Sequence, residues 1–231
     1  MSKVIILDAG HGGTDPGATN GSRYESNDTL KLAMAVQTLL VAQGQTVIMT
    51  RTTDTYVSLA QRTTMANNAG ADIFVSIHRN SFADATAKGT EVWVYTTAGT
   101  VDEAAAGAVL EQLAAVGIQS NRGVKKGNYH VLRESKMTSM LVELGFISNA
   151  KDNELFDKHF DAYAEAITKG ICTALGVVYK TGGAATTTDV LYRVQVGAFC
   201  VKSNAEAFLK TVRGMGLEAF LVAVETAKED S

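Results

Sequence analysis

The segment VIILDAGHGG, residues 4–13, decides how the rest of the chain reads. Val4, Ile5, Ile6 and Leu7 are apolar without a break, which suits a central strand covered on both faces. The run ends in an acid, Asp8, and His11 follows between Gly10 and the pair Gly12-Gly13. Small neighbours let the backbone turn sharply, and they leave room beside the imidazole for an ion, a water and a substrate.

Working outward, Leu32, Val36, Leu39 and Leu40 repeat along one face of a helix predicted over 28–43, with Gly44 as its stop. A strand is expected at 46–50, a helix at 59–68 closed by Gly70, and a third strand at 72–78, DIFVSIH, ending on His78. A strand at 90–95 leads to a helix from about Thr100, where Thr100 and Glu103 have the spacing of a capping box. The apolar stretch 139–146, SMLVELGF, reads as a strand, and 153–175 as one continuous helix with Phe156, Phe160, Tyr163, Ile167 and Ile171 on a single side. Strands alternating with helices predict an α/β fold, a mostly parallel twisted sheet with helices on both faces in a three-layer, phosphorylase/hydrolase-like arrangement. In such a sheet the carboxyl ends of the strands meet at one rim, where ligands bind. His11 and His78 both belong there.

The composition changes after residue 178. Residues 179–189 are small and polar and read as a flexible linker between a body at 1–178 and a tail at 190–231. In the tail, Tyr192, Val194, Val196 and Ala198 alternate with polar or small residues as in a half-exposed strand. A helix striped by Phe208, Leu209, Val212 and Met215 follows, with Ser203 and Glu206 spaced as a capping box, and a last strand is expected at 218–225. This βαβ unit is too small to hold a core alone.

Composition bounds the partners. The 231 residues are 46% apolar and 19% charged, with a formal net charge of −3, which excludes a strongly basic nucleic-acid binder. No apolar run is long enough to span a bilayer. Cys172 and Cys200, the only cysteines, lack metal-ligand spacing and read as buried thiols. The start, Met1-Ser2-Lys3, enters the first strand without the apolar region and cleavage site of a signal peptide, so synthesis in the cytoplasm is expected.

Two strand-end histidines suggest a metal. Catalytic zinc takes three protein ligands and keeps a position open for water, and Glu25, just before the first long helix, can reach back over the same rim. Glu143 is an acid inside an otherwise apolar strand. A bare carboxylate is costly to bury, so Glu143 is the candidate base that would take a proton from a bound water. The bland readings are a turn residue for His11, a satisfied core histidine for His78, a solvated first-turn acid for Glu25 and an ion-pair partner for Glu143. His130 is held in reserve at the edge of the cleft, and His159 reads as a surface residue.

Taken together, ILDAGHGGTDPGA (6–18), Glu25, SLAQRTTMANNAGADIFVSIHRNS (58–81) and RGVKKGNYHVLRESKMTSMLVELGFISN (122–149) resemble the amidase-3 family of zinc-dependent N-acetylmuramoyl-L-alanine amidases over residues 3–177. The resemblance implies Zn²⁺ held by His11, Glu25 and His78, with Glu143 as the base. It implies cleavage of the amide between N-acetylmuramic acid and the L-alanine of the stem peptide in bacterial peptidoglycan. Arg79, Asn80 and His130 are the positions it offers for substrate contact. Arg79 and Thr138 stand where the family usually has a small residue and a proline, and Arg79 reads otherwise as a solvated charge. No long insert separates 78 from 143 to cover the cleft, as happens in autoinhibited members.

The tail resembles half of a SPOR domain, a module that binds peptidoglycan glycan chains. Gln195 is the position matched to glycan contact, and two chains are expected to pair their tails into a homodimer. The same layout occurs in amidases that lyse the sporulating mother cell and in phage endolysins, both of which reach the wall after release from the cytoplasm. The competing functions are a non-catalytic wall-binding protein and a zinc carboxypeptidase acting on stem peptides.

Overall fold

A computed structural model describes residues 2–181 and 201–214, with side chains in the second segment as far as 211. The chain divides into two units, Met1–Ala185 and Thr186–Ser231.

In the first unit the elements run β1 (Val4–Ala9), β2 (Thr19–Asn20), β3 (Arg23–Tyr24), α1 (Glu25–Ala42), β4 (Thr46–Met49), α2 (Leu59–Asn68), β5 (Ile73–Asn80), β6 (Thr90–Tyr95), α3 (Thr100–Val116), β7 (Asn121–Gly127), α4 (His130–Arg133), β8 (Thr138–Phe146), α5 (Ala150–Lys158) and α6 (Phe160–Ala174). Six strands form one sheet in the order β4-β1-β5-β8-β6-β7. β4, β1, β5 and β8 are mutually parallel, β6 is antiparallel to β8, and β7 is parallel to β6. The sheet is therefore mixed and mostly parallel, with β2 and β3 forming a separate hairpin.

Strand parity sorts the side chains. Ile5, Leu7 and Ala9 of β1, Ile73, Val75 and Ile77 of β5, and Met140, Val142 and Leu144 of β8 join one apolar cluster with residues of α1, α3 and α6. The alternate positions Ile6, Phe74 and Leu141 pack instead with Ala66 of α2 and Val131 and Leu132 of α4. Both faces of the central strands are thus covered, which is why their sequences show apolar runs rather than alternation.

Several local expectations are corrected. The run expected as one helix at 153–175 is two helices, broken at His159, and the first of them starts at Ala150 because the Asn149 side chain accepts from the amides of Lys151 and Asp152. The aromatic stripe survives the break, with Phe156 and Phe160 edge-to-face at 5.7 Å. Thr100 and Glu103 form no capping box: Gly99 precedes α3 without a side-chain cap, and the Glu103 carboxylate pairs with Lys126 at 2.6 Å. A capping box does open α2, between Ser58 and Gln61. β7 went unread because NRGVKKG, the outermost strand, carries three basic residues and two glycines in place of alternation.

In the second unit α7 spans Lys202–Gly214, so Ser203 lies inside its first turn rather than ahead of it, and the Val201 carbonyl accepts from the amides of Asn204 and Ala205. The expected linker beyond residue 181, the expected strands at 190–199 and 218–225, Gln195 and Cys200 lie outside the described residues. Tyr179 and Lys180, expected to start the linker, are tied to the body: the Tyr179 hydroxyl donates to Glu165 at 3.1 Å and the Lys180 amide donates to Gln43 at 2.8 Å. Cys172 is buried in the main apolar cluster. Among the described residues no helix is long and apolar enough to cross a membrane.

Candidate metal centre and active site

At the carboxyl ends of β1, β5 and β8 the second face of the sheet turns polar. Asp8 is register-paired with Ser76, and His78 with Glu143. Parity therefore places four polar side chains in one patch, and the turn after β1 and the start of α1 bring two more, His11 and Glu25.

His11 follows β1 in a left-handed backbone conformation, φ 61°, which is unusual for a residue with a side chain. Two buried arginines hold the turn from behind. Arg62 donates to Asp8 Oδ1 at 2.6 Å, to the Ala9 carbonyl at 2.7 Å and to the His11 carbonyl at 2.9 Å. Arg51 donates to the carbonyls of Ala9, Gly10 and Ser26. Asp8 also accepts from the hydroxyls of Thr50 and Ser76, so its charge is fully satisfied. Carbonyls drawn inward by the guanidinium groups fix where the histidine leaves the strand.

Glu25 is the first residue of α1 rather than a residue ahead of it, and it is 4% exposed. Its Oε2 accepts from the Ala18 amide at 2.9 Å and its Oε1 from the Arg79 amide at 3.0 Å. His11 Nε2 lies 3.2 Å from Glu25 Oε2, and His78 Nδ1 lies 2.9 Å from Glu25 Oε1. The two imidazole rings meet edge-to-face at 4.9 Å. Ligand atoms of His11, Glu25 and His78 all lie within 4.8 Å of one another, the one such group of three or more His, Cys, Asp or Glu among the described residues.

Of the glycines flanking His11, Gly10 makes room for the His78 ring, while Gly12 and Gly13 lie against Thr55 and Tyr56, and Gly17 farther along makes room for Glu25 and His11. A Cβ on Gly10 would lie 2.3 Å from the His78 ring, and one on Gly17 would lie 2.7 Å from both Glu25 Oε2 and the His11 ring. Gly17 also adopts φ +67°, where a side chain is strained.

The electrostatics agree with a site built for a cation. Burial alone would raise the Glu25 carboxyl, but hydrogen bonds and charge from His11 and His78 outweigh it and hold Glu25 far below the usual carboxylate range. Burial alone would lower His11, yet Glu25 and Asp15 outweigh it and raise the imidazole above 6.5. Two nitrogens and one carboxylate are the donor set that zinc takes in hydrolases. With one atom from each residue within 4.8 Å of the others, His11, Glu25 and His78 are near enough to share one such ion.

Glu143 stands beside this group. Its Oε2 is buried and has no hydrogen-bond partner. Burial, with the nearby charges of Glu25 and Glu91, raises its pKa well above the usual 4.5. His11, Glu25, His78, Asn80, Glu143, Tyr56, Tyr129 and His130 line one cleft of about 520 Å³.

The comparisons with known proteins decide the family. The profile described as N-acetylmuramoyl-L-alanine amidase, amidase-3, matches residues 5–174. The chain belongs to this family. It is 36% identical over 221 residues to the sporulation-specific N-acetylmuramoyl-L-alanine amidase of Bacillus subtilis (strain 168), covering 94% of this chain and 84% of that protein. It is 34% identical over 220 residues to the N-acetylmuramoyl-L-alanine amidase CwlM of Bacillus licheniformis, with the same coverage of 94% and 84%. Among solved structures, the catalytic domain of the amidase CwlV from Bacillus (Paenibacillus) polymyxa var. colistinus aligns at a TM-score of 0.71 and 37% identity, over 76% of this chain and 99% of that one. An N-acetylmuramoyl-L-alanine amidase from Clostridium difficile 630 aligns at 0.72 and 34%, over 76% and 97%.

Within this amidase the expected substrate contacts fare differently. Arg79 is corrected: it is neither solvated nor free for a substrate's acid. It is 2% exposed, donates to Asp28 Oδ2 and to Asn153 at 2.7 Å, and lies 4.2 Å from the centre of the Phe156 ring. The reason is parity, since the residue after His78 points to the opposite face, under α1 and α5. Asn80 borders the cleft but donates to Glu91 Oε1 at 2.8 Å. His130 borders it too, with Nδ1 3.4 Å from an Arg133 nitrogen and a buried Nε2 that has no partner. His159 is half-buried between α5 and α6.

Reading the sequence missed Asp8, Arg51, Arg62 and Glu91. Glu91 obeys the rule that picked out Glu143, an acid in an apolar strand, and it lies opposite Glu143 in the sheet. It is 3% exposed and accepts from Asn80, Trp93, Arg122 and Lys125. Arg51 and Arg62 gave no usable signal, because a charge in a loop or helix usually faces water.

Proposed function

We propose that this amidase hydrolyses the amide joining the lactyl group of N-acetylmuramic acid to L-alanine in peptidoglycan, using zinc. The observation that carries the reading is the buried, unpartnered carboxylate oxygen of Glu143 next to the His11–Glu25–His78 cluster. Zinc held by those three residues would supply a polarised water and an electrophilic partner for the amide carbonyl oxygen.

The chain's own residues supply the proton path. Glu143 takes a proton from the water as its oxygen adds to the carbonyl carbon. It then returns that proton to the departing nitrogen; the new carboxyl's own proton ends on the amine, so the products are a lactyl carboxylate and the free ammonium group of L-alanine. Burial, which raises the Glu143 carboxyl above its usual range, makes it hold the proton more firmly between the two halves of this transfer. Glu91 helps keep it raised, because Arg122 and Lys125 hold Glu91 ionised beside it. Asn80 and His130 are the remaining substrate-contact positions on the cleft wall.

The test is Glu143→Ala assayed on purified sacculi. The variant retains bound zinc and loses wall hydrolysis by about 10²–10⁴-fold, and wild-type digests show new L-alanine amino ends with intact glycan by mass spectrometry. Undiminished hydrolysis by the variant removes Glu143 as the base. Release of terminal D-amino acids in place of L-alanine ends would make the protein a carboxypeptidase.

The setting is wall lysis, as in sporulation amidases or phage endolysins, with the similarity to the sporulation-specific relative favouring the first. Residues 190–231 are proposed as a half SPOR unit that holds glycan and pairs two chains, on sequence pattern alone. Light scattering of the full chain reads the pairing, and a monomer at micromolar concentration rejects it.

A further inference from the structure

We propose that Asp15 is a positioning residue for the metal centre, holding His11 in the tautomer and orientation that present Nε2 to zinc and bracing the loop that meets Glu25. The proposal rests on the zinc reading above. Asp15 Oδ2 lies 2.8 Å from His11 Nδ1. An ionised carboxylate only accepts hydrogen bonds, so Nδ1 donates to Asp15, and Nε2, 3.2 Å from Glu25, is the nitrogen left to present its lone pair to a metal. A carboxylate behind a ligand histidine in this way fixes its tautomer and ring direction.

The same carboxylate reaches the second ligand. Asp15 Oδ1 accepts from the Gly17 amide at 3.1 Å, and the next amide, of Ala18, donates to Glu25 Oε2. Asp15 is itself anchored by a two-way backbone bridge to Gly12, with N–O distances of 2.7 and 3.1 Å. His11 needs this support. Its left-handed backbone is unfavourable for a side-chain-bearing residue and persists only when its surroundings hold it. Arg62 holds its carbonyl from behind, and Asp15 holds its ring from the front.

The Asp15 side chain is 46% exposed, so replacing it leaves the core intact. The experiment measures zinc affinity of the metal-free full-length chain by competition with a chromophoric chelator, together with the visible spectrum of the Co²⁺ form and thermal unfolding of the metal-free form. Asp15→Ala weakens zinc by about 10–100-fold and alters the Co²⁺ spectrum, with little change in the metal-free midpoint. Asp15→Asn, whose amide oxygen still accepts from Nδ1–H but whose NH2 cannot accept from the Gly17 amide, falls between Asp15→Ala and wild type. Wild-type affinity in Asp15→Ala overturns the inference, as does a loss matched by an equal destabilisation of the metal-free protein. A wild-type chain that takes up no zinc rejects the metal reading itself.

Discussion

Strands β1, β5 and β8 each present two faces, and the two differ along their length. Toward α1, α3 and α6 the strands are apolar from Ile5 to Ala9, Ile73 to Ile77 and Met140 to Leu144, with the buried, ion-paired Arg79 following Ile77 on that side. Toward α2 and α4 they begin apolar, with Ile6, Phe74 and Leu141, and finish polar, with Asp8, Ser76, His78 and Glu143. The first face buries area and supplies stability. The second gives up apolar area at its carboxyl end and gains a place where water is scarce and charges act strongly. α4 has only four residues and covers little, so the cleft opens there.

The sharpest way to break this contrast is Arg62→Ala. It strands Asp8, 1% exposed, without its cation, and loss of one partner of a buried pair costs about 3–5 kcal/mol. Urea unfolding measures the cost, and zinc competition on the same variant should show weakened binding, because the His11 carbonyl is released. A loss under about 1 kcal/mol would mean that the polar patch does not depend on the pair.

Met140→Ala sharpens the contrast from the other side. Met140 is 0% exposed in the main apolar cluster, and its truncation costs about 2–5 kcal/mol in urea unfolding with zinc affinity unchanged. Weakened zinc binding in this variant would show that the two faces are coupled.

The smallest effect belongs to Glu91→Gln. Burial alone would raise Glu91, but Lys125 and Arg122 outweigh it and lower its carboxyl below 4.5. A lowered folded value means that the stabilisation is fully present above pH 4.5 and is lost as pH falls through the folded value. The cations are about one-third exposed, so the advantage of wild type over the variant is about 1 kcal/mol at neutral pH, shrinking in salt. Urea titrations from pH 7 down to pH 3 should show that advantage vanish in acid, and a gap that widens in acid would reverse the sign of the pairing.

Much of this was open to reading. Apolar runs at 4–7, 73–77 and 139–142 and helical stripes between them imply a covered, mostly parallel sheet, and polar residues at the ends of such runs stand out because burial penalises them. His11, His78 and Glu143 are visible for that reason. β7, the β2–β3 hairpin and α4 are short or polar and bury too little to leave a period. The helix starts at Glu25 and Ala150 precede the apolar stripes: the amides of Glu25 and Ser26 donate to the carbonyls of Ala18 and Pro16 in the preceding loop, and the Asn149 side chain caps the second helix.

The sequence by itself determined the alternation of strands and helices and the few polar residues that break apolar runs, since both follow from the local periodicity of burial. The tertiary structure alone decided that Arg79 turns away from the cleft and that Arg51 and Arg62 grip the His11 turn. Those outcomes depend on strand parity across the sheet and on partners up to 74 residues away in the chain, distances over which no local pattern carries information.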